Sequence, residues 1–220
     1  MKKITCVYTG MGSLPSTVEK TFREAVGEAK FHHILDSGLI FDIVEAGGVT
    51  PELEERIFHL FDAAVTTGAD VIVSTCSSIG ETTQKYAAEH PEVRMLRVDL
   101  PMAEHAAKNG RKVAVLATLA TTVEPSANLV EEQAAALGRD VEIIRATVPG
   151  AFDALMGGNA DLATELVVKT AKETCMDADI ILLAQASMAM FKPALRDALG
   201  DGAVLLESPS TCSQYLKENL

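Results

Sequence analysis

Two stretches of this sequence stand 109 positions apart and read alike: Ala69-Asp70-Val71-Ile72-Val73-Ser74-Thr75-Cys76 and Ala178-Asp179-Ile180-Ile181-Leu182-Leu183-Ala184-Gln185. Each opens on Ala-Asp, continues as an unbroken apolar run and ends in small or polar residues ahead of a helical pattern. A short apolar run without alternation marks a strand covered on both faces, as in a parallel sheet with helices on either side. The same offset relates Ile4 to Val113, Thr9 to Thr118, Thr50 to Asn159, Glu52 to Asp161 and Leu53 to Leu162. Gly47-Gly48 and Gly157-Gly158 miss this register by one residue, as do Pro101 and Pro209. A fixed period signals a repeated unit, and two periods of 109 nearly exhaust the 220 residues. The chain is expected to hold two copies of one plan.

In the first copy, residues 4–8 read as a strand and Thr9-Gly10-Met11-Gly12-Ser13-Leu14-Pro15 as a glycine-bearing loop. Ser16 and Glu19 have capping-box spacing for a helix ending at Gly27. Residues 31–35 read as a strand, 39–45 as an apolar stretch of either type, and 45–48 as a flexible loop. Thr50-Pro51 supplies an N-cap with proline at the first helical position, and Leu53, Ile57, Leu60, Phe61 and Ala64 give that helix its apolar face. The Cys76 strand leads into a helix to His90, a strand at 95–98 and a helix ending near Asn109-Gly110. The second copy repeats this. It has a strand at 113–117, a threonine-rich turn at 118–122, a helix to Gly138, a strand at 141–144 and a loop at 148–158. A helix capped by Asn159, the Ile180 strand, a helix over 188–199, a strand at 203–206 and a helix from Ser210 complete it.

Strands alternating with helices imply parallel sheets joined by right-handed crossovers. The expected fold is therefore α/β, with two pseudo-symmetric lobes, each a four-stranded parallel sheet flanked by helices. Residues 1–98 with 208–220 form the first lobe and 99–207 the second. Open α/β sheets bind ligands at the carboxyl ends of their strands. Lobes that face each other would gather Thr9, Cys76, Thr118 and Gln185 at one active site between them.

Bulk properties narrow the function. A net charge of −12 repels nucleic-acid phosphates and anionic membranes, so neither is an expected partner. No run of about 18 apolar residues suggests a membrane span. Met1-Lys2-Lys3-Ile4-Thr5-Cys6 enters a strand pattern with no signal-peptide features, and a cytoplasmic protein with free thiols is expected. The four cysteines (Cys6, Cys76, Cys175 and Cys212) have no metal-ligand spacing, and no metal is expected. Adjacent His32 and His33 point to opposite faces of a strand, giving one core and one surface histidine rather than a ligand pair.

Cys76 carries the chemistry. It lies where a buried strand turns into a helix, so helix N–H groups and the positive end of the dipole favour its thiolate. Cys6 and Cys175 read as packing residues. Cys212, at the Ser208-Pro209-Ser210-Thr211 turn, reads either as part of a capping turn or as a second thiol approaching the cleft. The first loop has Gly10 and Gly12 but Pro15 where a dinucleotide fingerprint needs its third glycine, which disfavours a nucleotide-dependent oxidoreductase. It can still wrap a small anion with backbone N–H groups. Cys76-Ser77-Ser78-Ile79-Gly80-Glu81-Thr82 lacks the arginine that a cysteine phosphatase loop needs for its phosphate.

The Cys76 strand with Ser77 and Ser78, the Val115-Leu116-Ala117-Thr118 strand with Thr121, and the Gln185 strand with Ser187 together resemble the aspartate/glutamate/hydantoin racemase superfamily, which includes maleate isomerases and arylmalonate decarboxylases. The likeness covers essentially the whole chain. It implies a cofactor-independent enzyme acting on a small carboxylate by thiol-dependent proton transfer or addition, a racemase-like isomerase or a decarboxylase, and a homodimer. In the family, two cysteines from opposite lobes exchange a proton at the carbon beside a carboxylate, and backbone N–H groups and hydroxyls hold that carboxylate. The resemblance makes Cys76 the first thiol. Thr9, Gly10, Met11, Ser77, Ser78, Thr118, Thr121 and Ser187 are then substrate-binding positions. The second thiol falls on Gln185, which cannot exchange a proton at neutral pH and only forms hydrogen bonds. A single-thiol enzyme follows, or an inactive carboxylate-binding protein on the same scaffold.

Overall fold

The computed structural model describes residues 1–10, 14–202 and 204–220. The chain divides into two compact units, Met1–Leu100 with Pro209–Leu220, and Pro101–Ser208.

The first unit holds a parallel sheet in the order β2-β1-β3-β4, from β1 (Lys2–Tyr8), β2 (Ala29–Leu35), β3 (Val71–Ser74) and β4 (Met95–Arg97). Period-two alternation splits β1 between two cores. Ile4, Cys6 and Tyr8 pack with Val18 and Phe22 of α1 (Leu14–Val26) and with Cys212 and Leu216 of α10 (Ser208–Asn219). Val7 faces the other way, onto α2 (Leu39–Ala46) and α3 (Pro51–Val65). Ile57, Phe61 and Ala64 of α3 are fully buried there, while Leu53 and Leu60 pack at the edge.

The second unit repeats the order as β6-β5-β7-β8, from β5 (Lys112–Ala117), β6 (Glu142–Thr147), β7 (Ile180–Leu183) and β8 (Val204–Glu207). Its core joins Ala114 and Leu116 to Ala163, Val167 and Ala171 of α8 (Ala160–Thr174) and Leu195 of α9 (Lys192–Leu199).

The repeat is exact where the sequence offset is. Ile4 pairs with Val71 in the first sheet and Val113 with Ile180 in the second. Asp70 accepts from the Lys3 N–H at 2.7 Å, and Asp179 from the Arg111 and Lys112 N–H groups at 3.0 and 3.1 Å. Thr50 and Asn159 both cap their helices, accepting from Leu53 and Leu162 at 3.3 and 3.1 Å. Among the described residues no helix is long and apolar enough to cross a membrane.

Several local expectations are corrected. Residues 39–46 form helix α2, which ends on Gly47 at φ 73°, so Glu45 and Ala46 are helical rather than loop. Within the expected loop at 148–158 lies α7 (Ala151–Met156), whose Ala151 and Ala154 are buried. Ser16 lies inside α1, so it does not start that helix. Glu19 binds Arg23 and His33 instead of a capping site. Thr121 and Thr122 belong to the first turn of α6 (Ala120–Ala136) rather than to a loop. Neither histidine is a core residue: His32 is half-buried, and the His33 ring sits at the surface between the Tyr8 hydroxyl (3.1 Å) and Glu19 (2.8 Å).

Candidate active site

In the first unit, the end of β3 is locked to β1 before the chain turns. Thr75 donates its N–H and its hydroxyl to the Val7 carbonyl, at 3.0 and 2.8 Å. Cys76 follows in extended conformation and begins a 3-10 turn, Ser77–Ile79, which runs into α4 (Gly80–Glu89). This delivers the sulfur to the strand-to-helix turn, half-buried. The Thr9 hydroxyl, the Ser78 N–H and hydroxyl and the Ile79 N–H all converge on it. Burial pushes the thiol above its ordinary value, and these hydrogen bonds pull it only part of the way back. The resting form at neutral pH is therefore the neutral thiol, not the thiolate expected from the helix terminus alone.

Thr9, Cys76, Ser77 and Ser78 thus share one strand end, with Thr9, Ser77 and Ser78 buried around the half-buried sulfur. Gly10 adjoins them, close to Ile40. Met11 lies outside the described residues.

The second unit builds the corresponding turn differently. The Ala184 N–H donates to Leu116 at 2.9 Å, as the Thr75 N–H does to Val7. Gln185 then opens a 3-10 turn, Ala186–Phe191. Its Oε1 accepts from both the N–H (2.6 Å) and the hydroxyl (2.8 Å) of Thr118. Because a backbone N–H can only donate, this fixes which end of the amide is oxygen. Among the described residues no acceptor engages Nε2, which points its two N–H donors away from Thr118. The Thr121 hydroxyl oxygen is buried without a partner. Ser187 is exposed on the 3-10 turn.

Sequence reasoning missed the support beneath the Cys76 turn. Arg97 and Asp99 are both buried and form a bidentate pair, Nε–Oδ1 and Nη2–Oδ2, each 3.0 Å. Arg97 Nη1 also donates to Gln84 of α4 at 3.0 Å. The guanidinium occupies the space that a side chain at position 80 would need, which is why α4 starts on glycine. The available signal was the spacing, since residues i and i+2 of an extended segment share a face.

Cys212 does not provide a second thiol. It is fully buried in the first core beside Cys6, and its thiol is pushed well above the ordinary value. Cys175 ends α8 within the second core. Among the described residues no three His, Cys, Asp or Glu side chains group as metal ligands.

Solved structures of racemases share this doubled four-stranded parallel α/β plan. Glutamate racemase isoform RacE1 from Bacillus anthracis matches it with a TM-score of 0.79 at 15% identity, over 99% of this chain and 80% of that one. Allantoin racemase from Pseudomonas fluorescens matches at 0.65 and 15% identity, over 99% and 90%. Aspartate racemase from Picrophilus torridus matches at 0.60 and 14% identity, over 98% and 93%. No curated protein matches in sequence. The family model described as Asp/Glu/Hydantoin racemase matches residues 59–209, more than half of the chain and a span that includes both Cys76 and Gln185. The chain belongs to that family, and the membership implies an isomerase of the racemase type.

Proposed function

We propose that this protein is a cofactor-independent enzyme of small carboxylates, in which Cys76 is the single proton-transferring thiol and Gln185 holds the substrate without exchanging a proton. The supporting observation is the set of donors around the Cys76 sulfur: Thr9, Ser78 and Ile79 would stabilise the thiolate left after proton delivery. A thiol that rests neutral is suited to protonating an enediolate. The S–H bond breaks, the carbon gains the proton, and the thiolate recovers one from water. Decarboxylation follows if the enediolate forms by loss of carbon dioxide; isomerisation follows if the Cys76 sulfur, as its thiolate, first takes the α-proton and returns it after the enediolate has turned its other face to the same sulfur. A carboxylate-holding role for Thr121 is supported by its place in the first turn of α6 and by its unpartnered hydroxyl oxygen, whereas both donors of Thr118 are committed to Gln185 Oε1.

A second reading, a carboxylate-binding protein without turnover, is favoured by the glutamine at position 185, whose amide is neither an acid nor a base at neutral pH. Turnover of D- and L-glutamate, D- and L-aspartate, maleate and methylmalonate by the wild type and by Cys76→Ser separates the readings. A thiol enzyme turns over at least one acid, and Cys76→Ser loses that activity. Thermal stabilisation by an acid without any turnover selects the binding protein. Turnover unchanged in Cys76→Ser removes the thiol mechanism.

A further inference from the structure

We infer that Arg56 is a positioning residue for the Cys76 thiol, acting through Asp36, the first turn of α2 and Thr9. This role deepens the proposed function, on which it rests for the importance of the thiol, and it lies wholly within the first unit.

Arg56 projects from α3, a helix held by the buried Ile57 and Phe61 and capped by Thr50. Its guanidinium binds two carboxylates at once. Nε and Nη2 donate to the two oxygens of Asp36 at 2.6 and 2.7 Å, and Nη1 donates to Asp42 at 2.5 Å. Asp36 directly follows β2 and Asp42 lies on α2, so one side chain ties a strand end to two helices. The planar fork of an arginine fits this arrangement, which the point charge of a lysine cannot reproduce. Arg56 and Asp42 remain 40% and 47% exposed, so these pairs add little to global stability. What they fix is placement.

Asp36 Oδ1 also accepts from the Gly38 and Leu39 N–H groups, at 3.1 and 3.2 Å. The opening N–H groups of a helix have no carbonyl of their own helix to bind. Gly38, at the N-cap of α2, has no side chain to serve them, and the Asp36 carboxylate does so instead. The next donor, the Ile40 N–H, goes to the Thr9 carbonyl at 2.9 Å, and the Asp36 N–H goes to the Tyr8 carbonyl at 3.1 Å. The segment clamped by Arg56 therefore holds the backbone of Tyr8 and Thr9, and the Thr9 hydroxyl is one of the donors on the Cys76 sulfur.

The second unit lacks this device. Val148 takes the place of Asp36, its N–H donating to Ala117 as that of Asp36 donates to Tyr8. Glu165 stands one period after Arg56. A valine has no carboxylate and a glutamate no positive charge, so the clamp cannot form there, and Thr118 in that unit holds an amide. The clamp accompanies the thiol.

The test follows iodoacetamide alkylation of Cys76 by mass spectrometry from pH 7 to 10 in the wild type, Arg56→Ala, Thr9→Val and the double variant. No substrate is needed, so a Cys76→Ser protein that kept turnover would sink the proposed function without touching this result. Arg56→Ala is expected to displace the rate profile to higher pH and to slow alkylation at pH 8 by about three-fold or more, as the loss of one hydrogen bond to the sulfur requires. In the Thr9→Val background the same substitution is expected to change the rate by less than about two-fold, because the group through which Arg56 acts is already gone. Should Arg56→Ala not fold, Arg56→Lys, which keeps the charge but not the fork, is expected to displace the profile in the same direction. An unchanged or faster rate, a slowing without displacement along the pH axis, or equal slowing with and without the Thr9 hydroxyl overturns the inference.

Discussion

Thr118 gives both of its donors to Gln185 Oε1, at 2.6 and 2.8 Å. One period earlier, Thr9 gives its hydroxyl to the Cys76 sulfur. The two threonines hold the same place after equivalent central strands, and each steadies the residue that opens the 3-10 turn. The repeat has kept the threonine and exchanged what it holds, a thiol in one copy and an amide in the other.

Thr9→Val removes one donor from the Cys76 sulfur. The thiol is then expected to rise further, because a hydrogen bond that favours the thiolate is lost. Iodoacetamide alkylation of Cys76, followed by mass spectrometry from pH 7 to 10, is expected to lag the wild type at every pH. An equal or faster rate would assign the Thr9 hydroxyl no influence on the thiol.

Gly80→Ala forces a methyl group into the Arg97 guanidinium and strains the Arg97–Asp99 pair below the Cys76 turn. Overpacking of this kind costs about 1–3 kcal/mol. Urea unfolding is expected to show a lower midpoint with an unchanged slope. A midpoint equal to that of the wild type would mean that Arg97 has another position available.

Alkaline stability is set partly by Cys6. Burial pushes its thiol up to about 12, whereas an unfolded cysteine ionises near about 8.5. Below that lower value both states carry the proton and the contribution is complete. Above it the unfolded chain ionises and the folded one resists, so stability falls until the folded thiol itself ionises. The melting temperature is expected to decline across this window, and Cys6→Ala is expected to flatten the decline. Tyr8, also pushed upward by burial, adds to the loss at the alkaline end. Parallel declines in wild type and Cys6→Ala would rule Cys6 out as a contributor.

Much of this architecture is written in short-range patterns. The doubled Ala-Asp starts, the caps at Thr50 and Asn159 and the buried strands are local features, and each appears where its chemistry puts it. Helices α2 and α7 were harder to read because they are short. Eight and six residues hold too few turns for helical periodicity to separate from a run of apolar residues. At the candidate site, the sequence supplies Cys76 and Gln185 as positions, but their states come from long-range partners. The orientation of the Gln185 amide depends on Thr118, 67 residues away. The neutral state of the Cys76 thiol depends on how deeply surrounding elements bury it, and no motif encodes that balance.

Proton transfer by the Cys76 sulfur is read most directly by incubating D- and L-glutamate, L-aspartate and methylmalonate with the protein in D₂O and following the α-carbon proton by NMR. A positioned acid–base group contributes roughly 10²–10⁴ in rate. Deuterium is expected to enter the α-carbon of at least one acid with the wild type, and to enter at least about a hundred-fold more slowly with Cys76→Ser. Equal incorporation by the two proteins, or none by the wild type with any of these acids, would contradict the account.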